Sequence, residues 1–547
     1  MDLYLLWIIQ TWQGHLLLIS ILHFLCWGFT LTLKGFVSDD IEGVAKFSDM
    51  WYQEKDQLGN VIREEKIDYY EMEFKDSNGK PYKKKYGNFS FPGFIEFPGC
   101  LLRWFRVNWG KHFQKIGTNV KGHAVYGYQQ DGRKHHALNL LVQWADLLLA
   151  YNLLATIFSP SIALLAVSLF SVYPCGVQTV AWISGVNYLF CLFGALLTFN
   201  LALFIENPYI LLPLVAITCG FSCLTLLPGC FNWIILIWMG KYDAALIAGL
   251  IAMVVFLKQG REVIDYRLKA FKEQHMENFT KIGFHKLVVM VKTAGYYCRF
   301  IPFPKRLGLF HTWLYHWDEP AEHINKDFWF GLLCLGLFGY FVVVSIPSIQ
   351  LGLLWTFIYL LTFSNFVTAQ QVVSERYAFI PTLGFCLIIA TLLQDYPIIF
   401  SFILGIAIMR VWVHLPTFRN EVRFYESNWF NFPESEVAMG NLGVAYVNHG
   451  LPNKGLDTWL EASRQNPTYD VPWYNLYSIC KQNGDFLGAR RFLKLCLDSK
   501  TVHFSEQWQR ELRELDTILE KSISPQELGT RLNKALTEAG YERAGAF

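Results

Sequence analysis

The sequence predicts an all-α polytopic membrane protein of about eleven transmembrane helices, with a small β-containing insertion in its first outer loop and a C-terminal helical-repeat domain. Three observations lead there. First, 53% of the 547 residues are hydrophobic and 17% are charged, against roughly 25% charged in soluble proteins. Second, apolar runs long enough to cross a bilayer recur from residue 13 to residue 414. Third, residues 434–502 turn polar and repeat internally. A net charge of +2 gives no basic surface for nucleic acid. Many of the 12 cysteines, such as Cys191, Cys219, Cys223 and Cys334, fall inside apolar runs, and no CxxC pair occurs. They read as small buried residues, not as a zinc or redox motif.

The first span lies near residues 13–33. Its apolar stretch is too long for a signal peptide and "MDLY" carries no positive charge, so it is expected to stay uncleaved. Further spans are expected near 138–157, 161–173, 178–200, 209–227, 230–257, 282–298, 327–345, 347–366, 378–393 and 396–414. The stretch 161–173 is short, and 282–298 is amphipathic, with Lys286 and Lys292. If the first helix runs outward, 34–137 is non-cytosolic and 258–281 is cytosolic. That second loop holds Lys258, Arg261, Arg267, Lys269, Lys272 and Lys281, as the positive-inside rule expects. The same count places 299–326, 367–377 and everything after 415 on the outer side. The membrane domain is therefore read as 1–416 and the repeat domain as 417–547.

Within the first outer loop, 34–137, polar and apolar residues alternate over about 50–95. Turn signals at Gly59-Asn60 and Asn78-Gly79 predict a β-meander. The following "FPGFIEFPGCLLRWFRVNWGKHF" predicts a helix lying in the membrane interface, anchored by Trp104, Phe105 and Trp109.

In the C-terminal part, Pro433 and Pro467, Asn441 and Asn475, Leu442 and Leu476, and Gly450 and Gly484 are each 34 residues apart. That period, with small residues at Gly443, Ala445, Gly455, Ala462 and Ala489, fits about two tetratricopeptide (TPR) repeats. Helices near 505–521 and 525–538 would cap them.

Several polar residues sit where apolar helices meet water. Asp39 and Asp40 follow the first span, with Glu42 close by. Such a pair terminates a helix, or serves as a general base or metal ligand. In "QQVVSERYAFIP", Arg376 either snorkels or binds a phosphate with its planar fork, with Glu375 and Tyr377 beside it. Gln178 and Thr179 open an apolar helix, and a capping role is sufficient for Thr179. "DGRKHH" places Arg133, Lys134, His135 and His136 before the second span. Basic residues on the outer side suit an anion partner or an interfacial anchor. Asp146 lies inside that span, where an ionisable group marks a functional site or an internal pair.

The order of these motifs resembles the membrane glycosyltransferases of the GT-C fold, and most closely their transmembrane-and-TPR branch, related to protein O-mannosyltransferases. The carrying residues are "FVSDDIEGV", "HHALNLLVQWADLLLAY", "YPCGVQTVAWISG", "VKTAGYYCRFIPFPKRL" and "SERYAFIPTLGF", followed by the repeats. The resemblance implies transfer of a sugar from a polyprenyl- or dolichyl-phosphate-linked donor to a hydroxyl of a protein acceptor outside the cytosol. It implies Asp39 as the base, with Asp40 orienting it or holding a divalent metal. It assigns the donor phosphate to Arg376, Arg133, His135 and His136, supported by Glu42, Gln178, Glu375 and Tyr377. The repeat groove, with Asn441, Tyr446 and Asn475, would hold the acceptor. The chain departs from the family pattern at Tyr173, where a histidine precedes the proline, and at Val186, where an arginine follows "ISG". The β-like insertion is also unusual there. A non-catalytic subunit that uses its repeats to organise a larger complex is the alternative.

Overall fold

The computed structural model describes residues 11–33, 50–55, 61–67, 71–75, 81–85, 109, 111–118, 124–257, 284–309, 323–364, 373–433, 435–467, 469–498 and 505–522. The chain divides into two compact units. The described residues of the first run up to Phe424, and those of the second start at Tyr425.

The first unit is a bundle of apolar helices. Helix α1 is Trp12–Trp27, capped by the Thr11 side chain, which accepts from Gly14 N–H. Helix α2 is Gly132–Ile157 and α3 is Pro160–Ser171. Asp131 caps α2, and Ser159 followed by Pro160 starts α3. These are the residue types that satisfy or dispense with the free N–H groups of a first turn. A short 3-10 turn at Pro174–Gly176 leads into α4 (Val177–Ala181). After Trp182 comes a second turn, Ile183–Gly185, and then α5 (Val186–Phe204). Helices α6 (Pro208–Thr225), α7 (Asn232–Trp238), α8 (Tyr242–Val255), α9 (Phe284–Phe300), α10 (Lys326–Val344) and α11 (Pro347–Leu361) follow. The turn Glu375–Ala378 opens α12 (Phe379–Leu393), and α13 is Pro397–His414.

Among the described residues, seven helices are long and apolar enough to cross a membrane, or eight if the bent pair Pro160–Ser171 and Pro174–Ala181 is one span. The chain is thus a multi-pass membrane protein by helix length and composition. The difference from eleven has local causes. The stretch 161–173 is only the 12-residue α3, bent by 54° from the short helix after it, while the span expected at 178–200 starts after Trp182, whose backbone is extended (φ −89°, ψ 123°), and is counted as Ile183–Phe204. The stretch 230–257 is two short helices parted at Gly240, whose φ of 73° suits glycine. Helix α11 stops at 15 residues. Helix α9 keeps its polar residues and buries Lys292.

Strands β1 (Met50–Lys55), β2 (Val61–Ile67), β3 (Glu71–Lys75), β4 (Pro81–Lys85), β5 (Lys111–Thr118) and β6 (Ala124–Gln130) lie between α1 and α2. The order is not that of one meander. A four-stranded sheet runs β2-β1-β6-β5, and β3 pairs with β4 separately. In the first sheet Gln53 pairs with Tyr126, which brings the two ends of the segment together. Gly59, Asn60, Asn78 and Gly79 lie outside the described residues, as do Trp104 and Phe105. The interfacial helix expected to reach Phe113 gives way to β5 at Lys111. Trp109 is partly exposed and donates its indole N–H to the Lys134 carbonyl at 2.6 Å.

Helix α14, Glu421–Asn431, crosses the division between the units. The second unit continues with α15 (Glu436–Asn448), α16 (Pro452–Gln465), α17 (Asp470–Gln482), α18 (Phe486–Asp498) and α19 (Ser505–Ser522). Two hairpins, α15–α16 and α17–α18, turn in the same way. Gly450 and Gly484 have φ of 76° and 78°. The next residue's N–H returns to the helix, Leu451 to Tyr446 O and Asp485 to Cys480 O, both at 2.9 Å. This is a Schellman closure, which needs glycine in the left-handed region. Trp459, Trp473, Leu476, Leu493 and Trp508 form the core.

Candidate functional site

The broken helix α4 carries the centre of the site. Gln178 N–H donates to Glu375 Oε1 at 3.1 Å, and the other Glu375 oxygen accepts Gly308 N–H at 3.0 Å. In return, Gln178 Oε1 accepts Arg376 N–H at 2.9 Å and the Ser374 hydroxyl at 3.3 Å. Tyr297 ties α9 to the same segment: its hydroxyl donates to the Ser374 carbonyl and accepts Ser374 N–H, both at 3.0 Å. Residues 197 positions apart in the chain are thereby fixed against each other. A fully buried carboxyl group whose two oxygens each accept a backbone N–H ties this crossing together in apolar surroundings.

The fixed backbone sets the Arg376 side chain. Its guanidinium carbon lies 5.0 Å from the Trp182 ring centre and 5.5 Å from that of Tyr377. Tyr377 is itself stacked on Phe363 at 4.3 Å with the planes 3° apart. Arg376 is 8% exposed, so its charge is held on an aromatic platform and not dispersed into water. Trp182 owes its position to the helix break. Asn139 Nδ2 donates to both the Val180 and Trp182 carbonyls at 3.1 Å, satisfying groups that the interruption frees. A Cβ at Gly185 would overlap the Thr179 carbonyl, so only glycine lets the chain fold back there.

The loop after α9 is tied to the same centre. The Tyr173 hydroxyl donates to the Ile301 carbonyl at 2.6 Å. Arg410 on α13 donates to the Pro304 and Lys305 carbonyls at 2.7 and 2.8 Å. Gly308 is held by Glu375. Beside this frame, Gln178 Nε2 and Thr179 Oγ1 are buried and have no protein partner among the described residues. Two donors adjacent in sequence, one of them on the residue that holds the backbone of the buried Arg376, can receive an anion such as a phosphate.

The structure thus brings together Gln178, Glu375, Arg376 and Tyr377. Glu375 serves as a staple, with both oxygens engaged. Thr179 does not cap its helix: it lies inside α4, where Gly176 is the cap. Arg133 is exposed and paired with Asp131 at 3.0 Å, so it belongs to the start of α2 and not to the buried platform. His135 and His136 are buried, and His136 lies one turn before Asn139 on the helix that reaches the break. Asp39, Asp40 and Glu42 lie outside the described residues. Among the described residues, no group of three or more His, Cys, Asp or Glu could hold a metal ion.

A second polar feature continues along α2. His136, Asn139, Gln143 and Asp146 follow a three-four-three spacing on one face, and all are buried. Neither Asp146 oxygen has a hydrogen-bond partner among the described residues. In the second unit, Asn441 and Asn475 are both half-buried and occupy the same place in α15 and α17. The Tyr446 hydroxyl is engaged with Glu426 at 2.8 Å, and Lys454 lies 5.6 Å from its ring centre. Burial, then the Glu426 carboxylate, pushes the Tyr446 phenol up to about 12.

Sequence reasoning missed Asn139, Trp182, Tyr297 and Gly308. An asparagine inside an otherwise apolar run and the glycine of "WISG" were the available signals. Comparison with protein-family models, curated proteins and solved structures finds no match for this chain.

Proposed function

We propose that this chain is a membrane glycosyltransferase that moves a sugar from a polyprenyl- or dolichyl-phosphate carrier to a hydroxyl of a polypeptide on the non-cytosolic side. The observation that carries this reading is the Arg376 platform. A buried guanidinium, gripped through its backbone by Gln178 and backed by Trp182, suits a phosphate whose negative charge grows as the sugar leaves. It also unites two of the sequence motifs that prompted the family resemblance.

In the proposed reaction Asp39 takes the proton of the acceptor hydroxyl. The acceptor oxygen bonds to the anomeric carbon as the bond from that carbon to the phosphate oxygen breaks, with inversion. The lipid phosphate leaves with the electron pair and is stabilised by Arg376, with His135 and His136 as further candidates. Asp40 orients Asp39 or holds a divalent ion. The paired helices of the second unit are read as TPR repeats whose groove, with Asn441 and Asn475, receives the acceptor. The strand-rich first segment is read as an insertion for a particular acceptor or partner.

The test is the glycan mass on the acceptor in membranes carrying Asp39→Asn or Arg376→Ala. Loss of the added mass in both supports the reading, and unchanged mass in both ends it. One observation favours the second reading, a non-catalytic scaffold. Tyr173 stands where the family has histidine and commits its hydroxyl to the Ile301 carbonyl, and Val186 is fully buried where an arginine is usual. Partner capture that survives deletion of residues 434–502 removes that alternative.

A further inference from the structure

The buried polar face of α2 runs from the start of the helix into the middle of the span. His136, Gln143 and Asp146 are 2%, 0% and 0% exposed. Each leaves both of its polar side-chain atoms without a hydrogen-bond partner among the described residues. Asn139, between them, is turned to the Val180 and Trp182 carbonyls. The row begins one turn inside the helix start, where Arg133 is exposed. It ends at Asp146, about 21 Å beyond Gly132 at the helical rise, which is deep in a hydrocarbon layer of roughly 30 Å. The elements packed on α2 are α1, the turn Gly28–Thr32, α3, α4, the turn Ile183–Gly185 and α5. None of them carries a lysine, arginine, aspartate or glutamate. Their titratable groups are His15, His23 and Cys26 on α1, and Tyr188 and Cys191 on α5. His15 Nδ1 is bonded to the Tyr151 hydroxyl at 2.8 Å and His23 Nε2 to the Leu140 carbonyl at 3.2 Å. Cys191 lies within electrostatic reach of Asp146, and its sulfur is 3.5 Å from the Ser222 hydroxyl. On α2 itself, Arg133 and Lys134 sit at the helix start, more than three turns before Asp146.

A carboxylate buried at that depth, with no cationic side chain on the helices around it, takes its positive charge from outside the protein. We propose that this face of α2 is a hydrated proton site: water enters from the Gly132 end, bridges His136 and Gln143, and supplies Asp146 with a proton. In that step a hydronium ion delivered along the waters loses one O–H bond as an O–H bond forms at an Asp146 oxygen. Neutral water and a neutral acid remain, and the reverse step returns the proton. The chemistry of the face selects water over a metal ion. A metal ion is met by Gln143 Oε1 and the Asp146 oxygens but offers nothing to the amide nitrogen of Gln143, which only donates. Water both donates and accepts, so it satisfies that nitrogen and the ring nitrogens of His136 as well as the oxygens. The seven residues from His136 to Gln143 rise about 10 Å, so more than one water joins them. The site is independent of the sugar transfer proposed above.

The experiment is infrared spectroscopy of the purified full chain in lipid nanodiscs at neutral pH, before and after exchange into D2O. Wild type is expected to show a carboxylic-acid carbonyl band that Asp146→Asn removes, and that moves to lower frequency within minutes in D2O. Subtracting the Asp146→Asn spectrum sets aside any band from the other buried carboxyl, Glu375. Gln143→Leu, which keeps the volume and removes the amide, should keep the band and slow its shift by about tenfold or more. Gln143→Asn, which keeps the amide, should restore fast exchange. Three results overturn the proposal. A wild-type spectrum without the Asp146 band means that the site holds no proton. A band that stays unshifted for hours in D2O means a sealed acid that water does not reach, and this reading needs no variant beyond Asp146→Asn. An equally fast shift in Gln143→Leu means that the proton reaches Asp146 by another route. Loss of the band on adding sodium chloride at fixed pH also overturns it, by assigning the site to a metal cation.

Discussion

The two units are stabilised in opposite ways. In the second, each hairpin is built from neighbours in sequence: Trp459 donates to Gly440 O at 2.9 Å across 19 residues, and the same glycine turn recurs 34 residues later. In the first, the centre depends on Gln178, Gly308 and Ser374–Arg376, segments far apart that meet through one buried carboxylate. Local repetition makes a framework that any one repeat can announce. A crossing of distant segments concentrates function and risk in a few hydrogen bonds.

The contrast can be broken first at its strongest points. Trp459→Ala is expected to cost about 3–5 kcal/mol, read as early proteolysis of the C-terminal hairpins. Undecaprenyl phosphate binding should be unchanged, and a parallel loss of binding would show that the two regions are not energetically separate. Glu375→Ala strands the Gln178 and Gly308 N–H groups and is expected to cost about 2–4 kcal/mol, read in detergent unfolding of the full chain. Glu375→Gln should recover part of that, because one amide oxygen can still accept. A negligible loss would mean that the crossing is held by packing alone.

Asp146 sharpens the comparison from the other side. It shares the buried face of α2 but has no partner among the described residues. Asp146→Asn is expected to leave stability unchanged or raise it by about 1 kcal/mol, and a loss above that would reveal a partner. The smallest effect belongs to Tyr446. Its folded value, about 12, lies above the ordinary value of about 10. Its contribution is therefore complete below pH about 10 and fades as pH rises toward 12. Tyr446→Phe should remove that part of the alkaline unfolding profile.

Most of the helices were legible in the sequence because hydropathy and the 34-residue period are local signals. Breaks were less legible. Trp182 and Gly240 sit inside runs whose average hydropathy stays high, so a window sees one span where the backbone makes two helices. The site was half legible. Gln178, Glu375, Arg376 and Tyr377 stood out as polar residues at span ends, but nothing local says that Gln178 grips Arg376 across 198 positions. Asn139 did not stand out in the sequence, yet its amide donates to the Trp182 carbonyl. Thr179 looked like a cap because caps are the common use of threonine there. The 3-10 turn before it had already moved the helix start to Val177.

The central claim is that the buried Arg376 platform is a phosphate site. The most direct measurement compares the affinity of the purified chain for undecaprenyl phosphate and for undecaprenol, which lacks the phosphate. Wild type should prefer the phosphate by about a hundredfold, near 2.7 kcal/mol, and Arg376→Ala should erase that preference without altering undecaprenol binding. Equal affinity of wild type for the two lipids would contradict the claim.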